Sequence, residues 1–390
     1  MTEIKHRANV GSVVLGLLNG LKHTPQTLGP VLGIEPEKLE RIIQGREPLT
    51  KEVEEALITI PGINQRDFYP AESQHLFPIK DDTNGGVVIC RREDTNKSLR
   101  VIYRGPNIPY YIYADMAMSN LSSFRPEWIK QLYVNDGEDA DSLPDWAFNK
   151  GHFEHQFTYF IGQVNFHWKD RNGKKHVRQM NSGDANYIVP FVPHSFTTRE
   201  ENRGFILAVT YGGATSEKYF QSQISSLDVK EYLTTFCRIL TSISLTKDNG
   251  GVEIFEYEYY EFGSKKKDPG FRFLMAFIPI LALFAKMAVI ELEKVAILKS
   301  GAERWGYNLG NSEVMVIFNE QRLFLKPGDS FLIQSTIAPA FVQKEKGLGS
   351  ILIVEISPYK GNPYTELALI EKYAGEEGLK RVHTETTRWY

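Results

Sequence analysis

The chain has 390 residues, more than a single hydrophobic core usually holds, so we expect two or more structural units. Its hydrophobic content of 42% and charged content of 24% are those of an ordinary globular protein. The formal net charge of −3 gives no electrostatic reason to expect a polyanion partner. Two cysteines are too few for a disulfide framework, so we expect a reducing, cytoplasmic setting.

No membrane-targeting pattern is evident in the sequence. The first ten residues lack a basic stretch followed by an apolar one. The longest apolar run, Phe273–Ala285, has 13 residues and contains Pro279, whereas a membrane helix needs about 20. We interpret this run as buried strand and turn, and expect no membrane partner.

The first 70 residues have the apolar spacing of short helices. Thr24 is placed to cap the second helix, whose first position would be Pro25. Gly33 then provides a tight turn, as in a helix-turn-helix. The predicted helices are Val10–Leu21, Pro25–Leu32, Glu35–Gln44 and Lys51–Ile60.

From about Gly85 the pattern changes to short, β-rich runs. A turn is predicted at Asp170–Lys174, an acidic loop at Asp136–Asp145, and a return to helix at residues 216–246. A second β-rich region, Val252–Pro358, precedes a helix near Tyr364–Ala374 and a polar tail. The strands predicted in the first β-rich region are Gly86–Cys90, Leu99–Tyr103, Tyr110–Tyr113, Phe157–Ile161, Val164–Trp168 and Gly204–Tyr211.

The two β-rich regions share a Gly-Asp sequence. Gly183 in the first corresponds to Gly328 in the second, and eleven residues later the first has His194 where the second has Pro339. Since proline cannot bind a metal, the second copy is predicted to be a degenerate repeat. The predicted units are a helical unit (1–75), a catalytic barrel (76–215), a shortened helical unit (216–250) and a barrel without a metal site (251–390).

Candidate metal ligands lie at both ends of the segment 149–194. Imidazole is the commonest protein metal ligand, and the mouth of a β-barrel can bring His152 and His194 together. Alternation along a strand favours Glu154 as the third ligand, since it shares a face with His152. Gln156 shares that face too, but in a straight strand it lies about 13 Å from His152. A bend at Gly151 would allow both to bind one ion.

The resemblance of this segment to a known family adds a specific expectation. Ser182-Gly183-Asp184, Pro190 and His194 match the second cupin motif, and the run from Asn149 to Gln156 resembles the methylphosphonate synthases. These are relatives of hydroxyethylphosphonate dioxygenase among the non-haem iron cupin enzymes. The resemblance implies a mainly β fold with helical units: tandem cupin (double-stranded β-helix) barrels, each preceded by a helix-turn-helix-like unit, with the second repeat degenerate.

By resemblance, the metal is Fe(II), held by His152, Gln156 and His194. In the synthases that this segment resembles, the iron site consists of two histidines and one glutamine, and the glutamine lies four residues after the first histidine. The dioxygenase instead has a carboxylate six residues before the last histidine, where this chain has Ile188. The family pattern therefore favours Gln156 over Glu154, which becomes a supporting group.

The same resemblance implies the residues that would hold a phosphonate. A phosphonate requires cationic and hydroxyl or amide donors. Asn186 replaces a tyrosine of the dioxygenase, which leaves that contact open, and Tyr111 is the alternative to Tyr113. The implied substrate-binding residues are Lys22, Arg104, Tyr113, Asn149 and Thr210.

The expected activity is the Fe(II)- and O2-dependent conversion of 2-hydroxyethylphosphonate to methylphosphonate and CO2 by carbon–carbon cleavage. The alternative within the family is the dioxygenase outcome, hydroxymethylphosphonate and formate. We expect a homo-oligomer with no nucleic-acid partner. Helix-turn-helix plus cupin also describes transcription regulators, but residues 1–70 carry 8 Lys/Arg against 9 Asp/Glu, and a DNA-binding domain should be basic. A metal-free sugar-binding or isomerase cupin is a third reading.

Overall fold

The computed structural model describes residues 10–69, 71–212, 252–255, 285–292, 295–343, 349–356 and 363–389. The helices predicted at 216–246 lie outside the described residues, as does the apolar run Phe273–Ala285 apart from its last residue. Among the described residues, no helix has both the length and the apolar character needed to span a bilayer.

Four short helices form the N-terminal unit, as the sequence predicts. Thr24 caps the second, accepting a hydrogen bond from the Thr27 amide while the Thr27 side chain accepts from the Thr24 amide. Gly33 ends that helix in the left-handed conformation at φ 67°. A separate core forms from the apolar faces of the helices. Their bounds are α1 Val10–Gly20, α2 Pro25–Leu32, α3 Pro36–Ile43 and α4 Lys51–Leu57.

The first β-rich region contains a seven-stranded and a three-stranded sheet. Their strands are β2 Arg100–Arg104, β3 Ile108–Asp115, β4 Phe124–Gln131, β5 His155–Gly162, β6 Val164–Lys169, β7 Lys175–Met180, β8 Ala185–Ile188, β9 His194–Thr198, β10 Gly204–Tyr211 and β11 Val252–Phe255. The larger sheet has the order β11-β8-β5-β10-β4-β3-β2 and the smaller the order β7-β6-β9, with antiparallel pairing throughout. A helix, α5 (Arg92–Lys97), precedes β2.

The second β-rich region also forms two antiparallel sheets. Their orders are β1-β17-β14-β19-β12 and β13-β18-β15-β16. The strands are β1 Val87–Cys90, β12 Ala285–Leu292, β13 Val295–Ile297, β14 Glu303–Asn308, β15 Val314–Phe318, β16 Gln321–Leu325, β17 Ser330–Ile333, β18 Ala340–Gln343 and β19 Gly349–Ile356. The mainly β class is confirmed, whereas a tandem, degenerate repeat stays a prediction.

Two strands pair with the region to which they do not belong in sequence. β1 is the first strand of the first region in sequence but pairs with β17 of the second, with Val87 opposite Ile333. β11 follows the first region by about 40 residues and pairs with β8, with Val252 opposite Ile188. The predicted limits of the units stay a prediction, and these pairings cross two of them.

The C-terminal helix, α6 (Pro363–Trp389), packs on the first β-rich region, whose two sheets together are called the first barrel from here on. It is kinked at Gly375, which has φ 65° and ψ −164°. Both halves contribute to one apolar cluster with the first barrel, composed of Phe153, Phe191, Leu367, Ile370, Leu379 and Val382. The predicted polar tail after Ala374 is therefore wrong, because buried side chains continue beyond the kink and hold that segment as helix.

Candidate metal centre and substrate cavity

His152, Gln156 and His194 lie together at one end of the first barrel. The His152 Nε2 atom is 3.0 Å from the Gln156 Oε1 atom. The rings of His152 and His194 are 5.1 Å apart between centroids and nearly perpendicular. The straight-strand objection to Gln156 does not apply, because β5 begins only at His155 and His152 lies in the preceding loop. That loop bends at Gly151, which has φ 68°.

Both histidines have one ring nitrogen committed to the backbone. His152 Nδ1 donates to the Glu154 carbonyl at 2.8 Å, and His194 Nδ1 donates to the Val192 carbonyl at 2.8 Å. This arrangement makes Nε2 the unprotonated nitrogen of each ring, which is the one able to bind a metal. Burial, assisted by the nearby Lys22 ammonium, lowers the pKa of His152 to about 4. Burial likewise lowers the pKa of His194 well below its usual value, so both rings are neutral near pH 7.

Asn149 fixes the loop that carries His152 against the start of β9, where His194 lies. Its Oδ1 accepts hydrogen bonds from the amides of His194 (2.8 Å) and Gly151 (2.9 Å). Its Nδ2 lies 3.0 Å from His194 Nε2. Gly151 is required here because a Cβ atom would lie 2.3 Å from the Phe191 carbonyl carbon. The loop is therefore fixed at its backbone, which positions His152 against His194.

Glu154, the ligand favoured by spacing alone, lies on the other side of the His152 ring. Its carboxylate Oε2 is 3.7 Å from His152 Nδ1, the nitrogen that faces away from Gln156. In the part of the chain that the structure describes, no three His, Cys, Asp or Glu side chains are arranged to hold one metal ion. The Glu154 carboxylate therefore does not share the Nε2 side of the His152 ring with Gln156.

A cavity of about 490 Å³ adjoins His152. It lies between α1, the loop before β5, strands β2 and β3, and α6. Its lining includes four of the five predicted substrate-binding residues: Lys22, Arg104, Tyr113 and Asn149. Lys150 and Arg381 also line it, against one lining carboxylate, Glu154. The cavity is therefore strongly cationic.

Thr210, the fifth predicted residue, is placed differently. It pairs with Gln156 across β10 and β5 but is not part of the cavity lining. Its hydroxyl donates to the Arg125 carbonyl at 2.7 Å. A role for Thr210 in binding substrate stays a prediction.

The cationic side chains are held by the barrel. Arg100 donates to the carbonyls of Leu21 (2.9 Å) and Lys22 (3.1 Å), which secures the turn that carries Lys22. The Arg104 guanidinium lies over the Tyr111 ring at 4.9 Å and donates to Ser195 Oγ at 3.4 Å. The position of Lys22 beside the barrel is thus a property of the fold.

Tyr111 and Tyr113 have distinct surroundings. The Tyr111 hydroxyl accepts a hydrogen bond from the Phe196 amide at 2.9 Å, whereas Tyr113 lines the cavity. Burial raises the pKa of Tyr113 well above its usual value, so it is a neutral donor. Of the two, Tyr113 has the position expected of a substrate contact.

Sequence reasoning missed two residues near the site. Arg381 on α6 donates to the carbonyls of Lys150 and Gly151 and lies 4.3 Å from the centroid of the Phe191 ring. Glu127 on β4 is almost fully buried, and burial raises its pKa to about 7, partly offset by Lys22 and Arg100. No local pattern marks Arg381, because its partners are about 230 residues away.

Comparison with known proteins identifies the family. No protein-family model matches the chain. It is 31% identical to the methylphosphonate synthase of Nitrosopumilus maritimus (strain SCM1), over 97% of this chain and 95% of that protein. The chain belongs to the methylphosphonate synthase family. The family expected from the sequence is thereby confirmed.

Solved structures agree with membership of the methylphosphonate synthase family. The fold is similar to that of Streptomyces albus hydroxyethylphosphonate dioxygenase with 2-hydroxyethylphosphonate and Fe(II) bound: the TM-score is 0.61 and the identity 25%, over 93% of this chain and 94% of that one. It is also similar to that of native PhpD with cadmium atoms, at a TM-score of 0.52 and 15% identity, over 95% of this chain and 99% of that one. The second likeness concerns the fold alone.

Proposed function

We propose that this chain is an Fe(II)- and O2-dependent oxidoreductase that converts 2-hydroxyethylphosphonate to methylphosphonate and CO2. The observation that carries the proposal is the meeting of two neutral imidazoles and one amide oxygen beside a cationic cavity. Membership of the methylphosphonate synthase family supports the reaction type. A cytoplasmic location and a homo-oligomeric state stay predictions.

The donor set fits a ferrous ion. His152 Nε2, His194 Nε2 and Gln156 Oε1 would hold it, because their other polar atoms are committed elsewhere. When bound, iron would supply the binding and reduction of dioxygen, which protein side chains do not provide. Three neutral ligands leave the full charge of the ion uncompensated, and this favours an anionic substrate.

The cavity would bind the phosphonate by charge and hydrogen bonding. Lys22 and Arg104 would neutralise the phosphonate oxygens, and Tyr113 would donate a hydrogen bond from its hydroxyl. The Asn149 amide, already beside His194, would orient the end of the substrate nearest the metal. These contacts would hold the carbon–carbon bond at a fixed distance from the ligands.

The reaction balances without an added reductant. One 2-hydroxyethylphosphonate and one O2 give one methylphosphonate, one CO2 and one H2O. All electrons come from the substrate, so neither 2-oxoglutarate nor a reducing cofactor is proposed. The protein has to bind and orient the substrate and to exclude water from it. The burial of Gln156 and His194 is consistent with that role.

The alternative activity, which gives hydroxymethylphosphonate and formate, is favoured by the likeness to the dioxygenase structure. Against it stands Ile188, which lies directly opposite Gln156 on β8 and offers no donor where the dioxygenase pattern expects a carboxylate. A regulator that binds DNA is disfavoured because residues 1–70 carry 8 Lys/Arg against 9 Asp/Glu and so lack the basic charge of a DNA-binding domain.

A single experiment separates these activities. The protein is loaded with Fe(II) without oxygen, mixed with 2-hydroxyethylphosphonate and then exposed to air, and the products are identified by phosphorus NMR. We expect methylphosphonate. Hydroxymethylphosphonate would establish the alternative activity, and the absence of any turnover by iron-loaded protein would contradict both.

A further inference from the structure

The Gln156 amide is held in one of its two orientations. Its Nε2 donates to the Thr158 hydroxyl at 2.8 Å, and its Oε1 faces His152 Nε2 at 3.0 Å. Both side chains are buried, with exposures of 4% for Gln156 and 0% for Thr158. They lie two residues apart on β5 and therefore share its inner face.

The orientation matters because only one end of an amide binds a metal. The carbonyl oxygen carries lone pairs, whereas the NH2 group offers two donors and no acceptor. A half-turn about the last side-chain bond would present NH2 to the ion with almost no change in shape. A threonine hydroxyl selects between the two orientations only if its own hydrogen is committed, since it can either donate or accept.

Asn186 is the candidate acceptor for that hydrogen. It lies directly opposite Thr158 across β8 and β5, so the two side chains share a face. Asn186 is 0% exposed, and neither Oδ1 nor Nδ2 has a hydrogen-bond partner among the described residues. A buried carboxamide with both ends unpaired is rare in folded proteins and requires an explanation.

We infer that Asn186 and Thr158 form a positioning relay for the metal ligand. Asn186 Oδ1 accepts the Thr158 hydrogen through one buried water, and Thr158 Oγ1 must then accept from Gln156 Nε2. This presents Gln156 Oε1 to the metal. Thr158 and Asn186 are thus positioning residues, which act through Gln156 and touch neither metal nor substrate. The inference rests on the proposed function, since it requires Gln156 to bind the ion.

The test measures Fe(II) affinity without substrate or oxygen, by titration against a competing chelator. Thr158→Val keeps the shape of the side chain and removes the hydroxyl, and we expect it to weaken binding by about 10- to 100-fold. Thr158→Ser restores the hydroxyl and should remain within about threefold of the parent protein. Thr198→Val is the matched control, because Thr198 is a buried threonine of the same barrel whose hydroxyl donates to the Glu200 carbonyl.

Asn186→Leu tests the second member of the relay and carries the test alone if Thr158→Val does not fold. It should weaken Fe(II) binding by less than Thr158→Val does. Without Asn186, the Thr158 hydroxyl can still accept from Gln156 Nε2, although its own hydrogen is no longer held by an acceptor. The double variant should bind within about twofold of Thr158→Val, since both changes act on one amide. Melting curves of the metal-free proteins verify folding.

The outcomes distinguish the relay from the proposed function. If the parent protein fails to bind Fe(II), the proposed function is contradicted. If the parent binds Fe(II) but Thr158→Val and Asn186→Leu bind it equally well, only the relay is overturned. Losses in the two single variants that add in the double variant would show independent effects, and would also overturn the relay.

Discussion

The Gly-Asp turns of the two β-rich regions have the same geometry, yet only the first is followed, eleven residues later, by a histidine. Gly183 and Gly328 have φ values of 97° and 87°. Asp184 accepts from the Asn181 amide at 2.7 Å, and Asp329 accepts from the Lys326 amide at 2.9 Å. The Gly-Asp part of the motif therefore serves the fold.

The regions diverge eleven residues after the glycine. His194 turns its ring toward His152, whereas the Pro339 carbonyl accepts a hydrogen bond from the Leu298 amide. The aspartate of the second region has acquired another role: Asp329 binds the Arg91 side chain at 2.6 Å and the Arg92 amide at 3.0 Å. Those contacts connect the second region to the segment that follows β1. The Gly-Asp part of the motif is thus common to both regions, whereas the histidine proposed to bind metal occurs only in the first.

The largest effect is expected from replacing Gln156, the amide proposed as the third metal ligand in the first barrel. Gln156→Ala should abolish turnover and weaken Fe(II) binding by more than about 100-fold, because one of three donors is lost. Glu154→Ala is the matched control, two residues away, and should retain bound iron. Iron content and product formation are the measurements. Iron lost from Glu154→Ala and kept in Gln156→Ala would reverse our choice of ligand.

The shared turns should contribute to stability in both regions. Asp329→Ala should lower the free energy of unfolding by about 2 to 4 kcal/mol, because the amides of Lys326 and Arg92 and the Arg91 guanidinium each lose a carboxylate acceptor. Asp184→Ala should cost about 1 to 3 kcal/mol by the loss of the corresponding turn bond. Urea unfolding measures both. No loss in either variant would contradict a structural role for the turn.

The buried acid of the first barrel should make stability depend on pH. Because burial raises the pKa of Glu127 from about 4.5 to about 7, the folded protein binds more protons than the unfolded chain between these values. Stability contributed by this group therefore falls as pH rises through that window. Glu127→Gln should remove the fall and gain up to about 3 kcal/mol relative to the parent above pH 7. Urea unfolding at pH 5 and at pH 8 measures the difference in the free energy of unfolding between Glu127→Gln and the parent protein. The same difference at both pH values would contradict this prediction.

Arg381 tests whether α6 positions the first site. Arg381→Met should reduce kcat/KM by about tenfold, because the loop carrying His152 loses two donors to its carbonyls. Lys380→Met is the control, since that exposed lysine pairs with Glu376 on the surface of the same helix. Steady-state turnover of both variants is the measurement. Equal activity would show that Arg381 does not position the loop.

The smallest effect is expected at the position that distinguishes the two regions. Pro339→His restores a histidine to the second region, but the other donors found in the first barrel are not supplied with it. We expect the iron content to remain one ion per chain. A second ion in metal analysis would show that the second region retains a latent site.

Local chemistry predicted much of the fold. The Thr24 cap, the turn at Asp170–Lys174 and the strand Gly204–Tyr211 all follow from short-range preferences, and the structure confirms them. β4 was not predicted, since its Pro126 usually argues against an inner strand. The exchange of β1 and β11 could not be predicted, because antiparallel pairing leaves no sign in the sequence of which region a strand joins.

The sequence indicates both candidate histidines, and the structure brings them together. Spacing alone favours Glu154 because it assumes a continuous strand, whereas β5 begins only at His155. The family resemblance favours Gln156, and the choice between the two stays a prediction. Arg381 and the pairing of Thr158 with Asn186 could not be predicted, because they depend on contacts between segments distant in sequence.

An anaerobic crystal structure of the Fe(II) complex would show which side chains bind the metal. We expect one ion bound by His152 Nε2, His194 Nε2 and Gln156 Oε1, with Thr158 Oγ1 still accepting from the Gln156 amide. A Glu154 carboxylate bound to the iron, or an ion bound by only one of the two histidines, would contradict it.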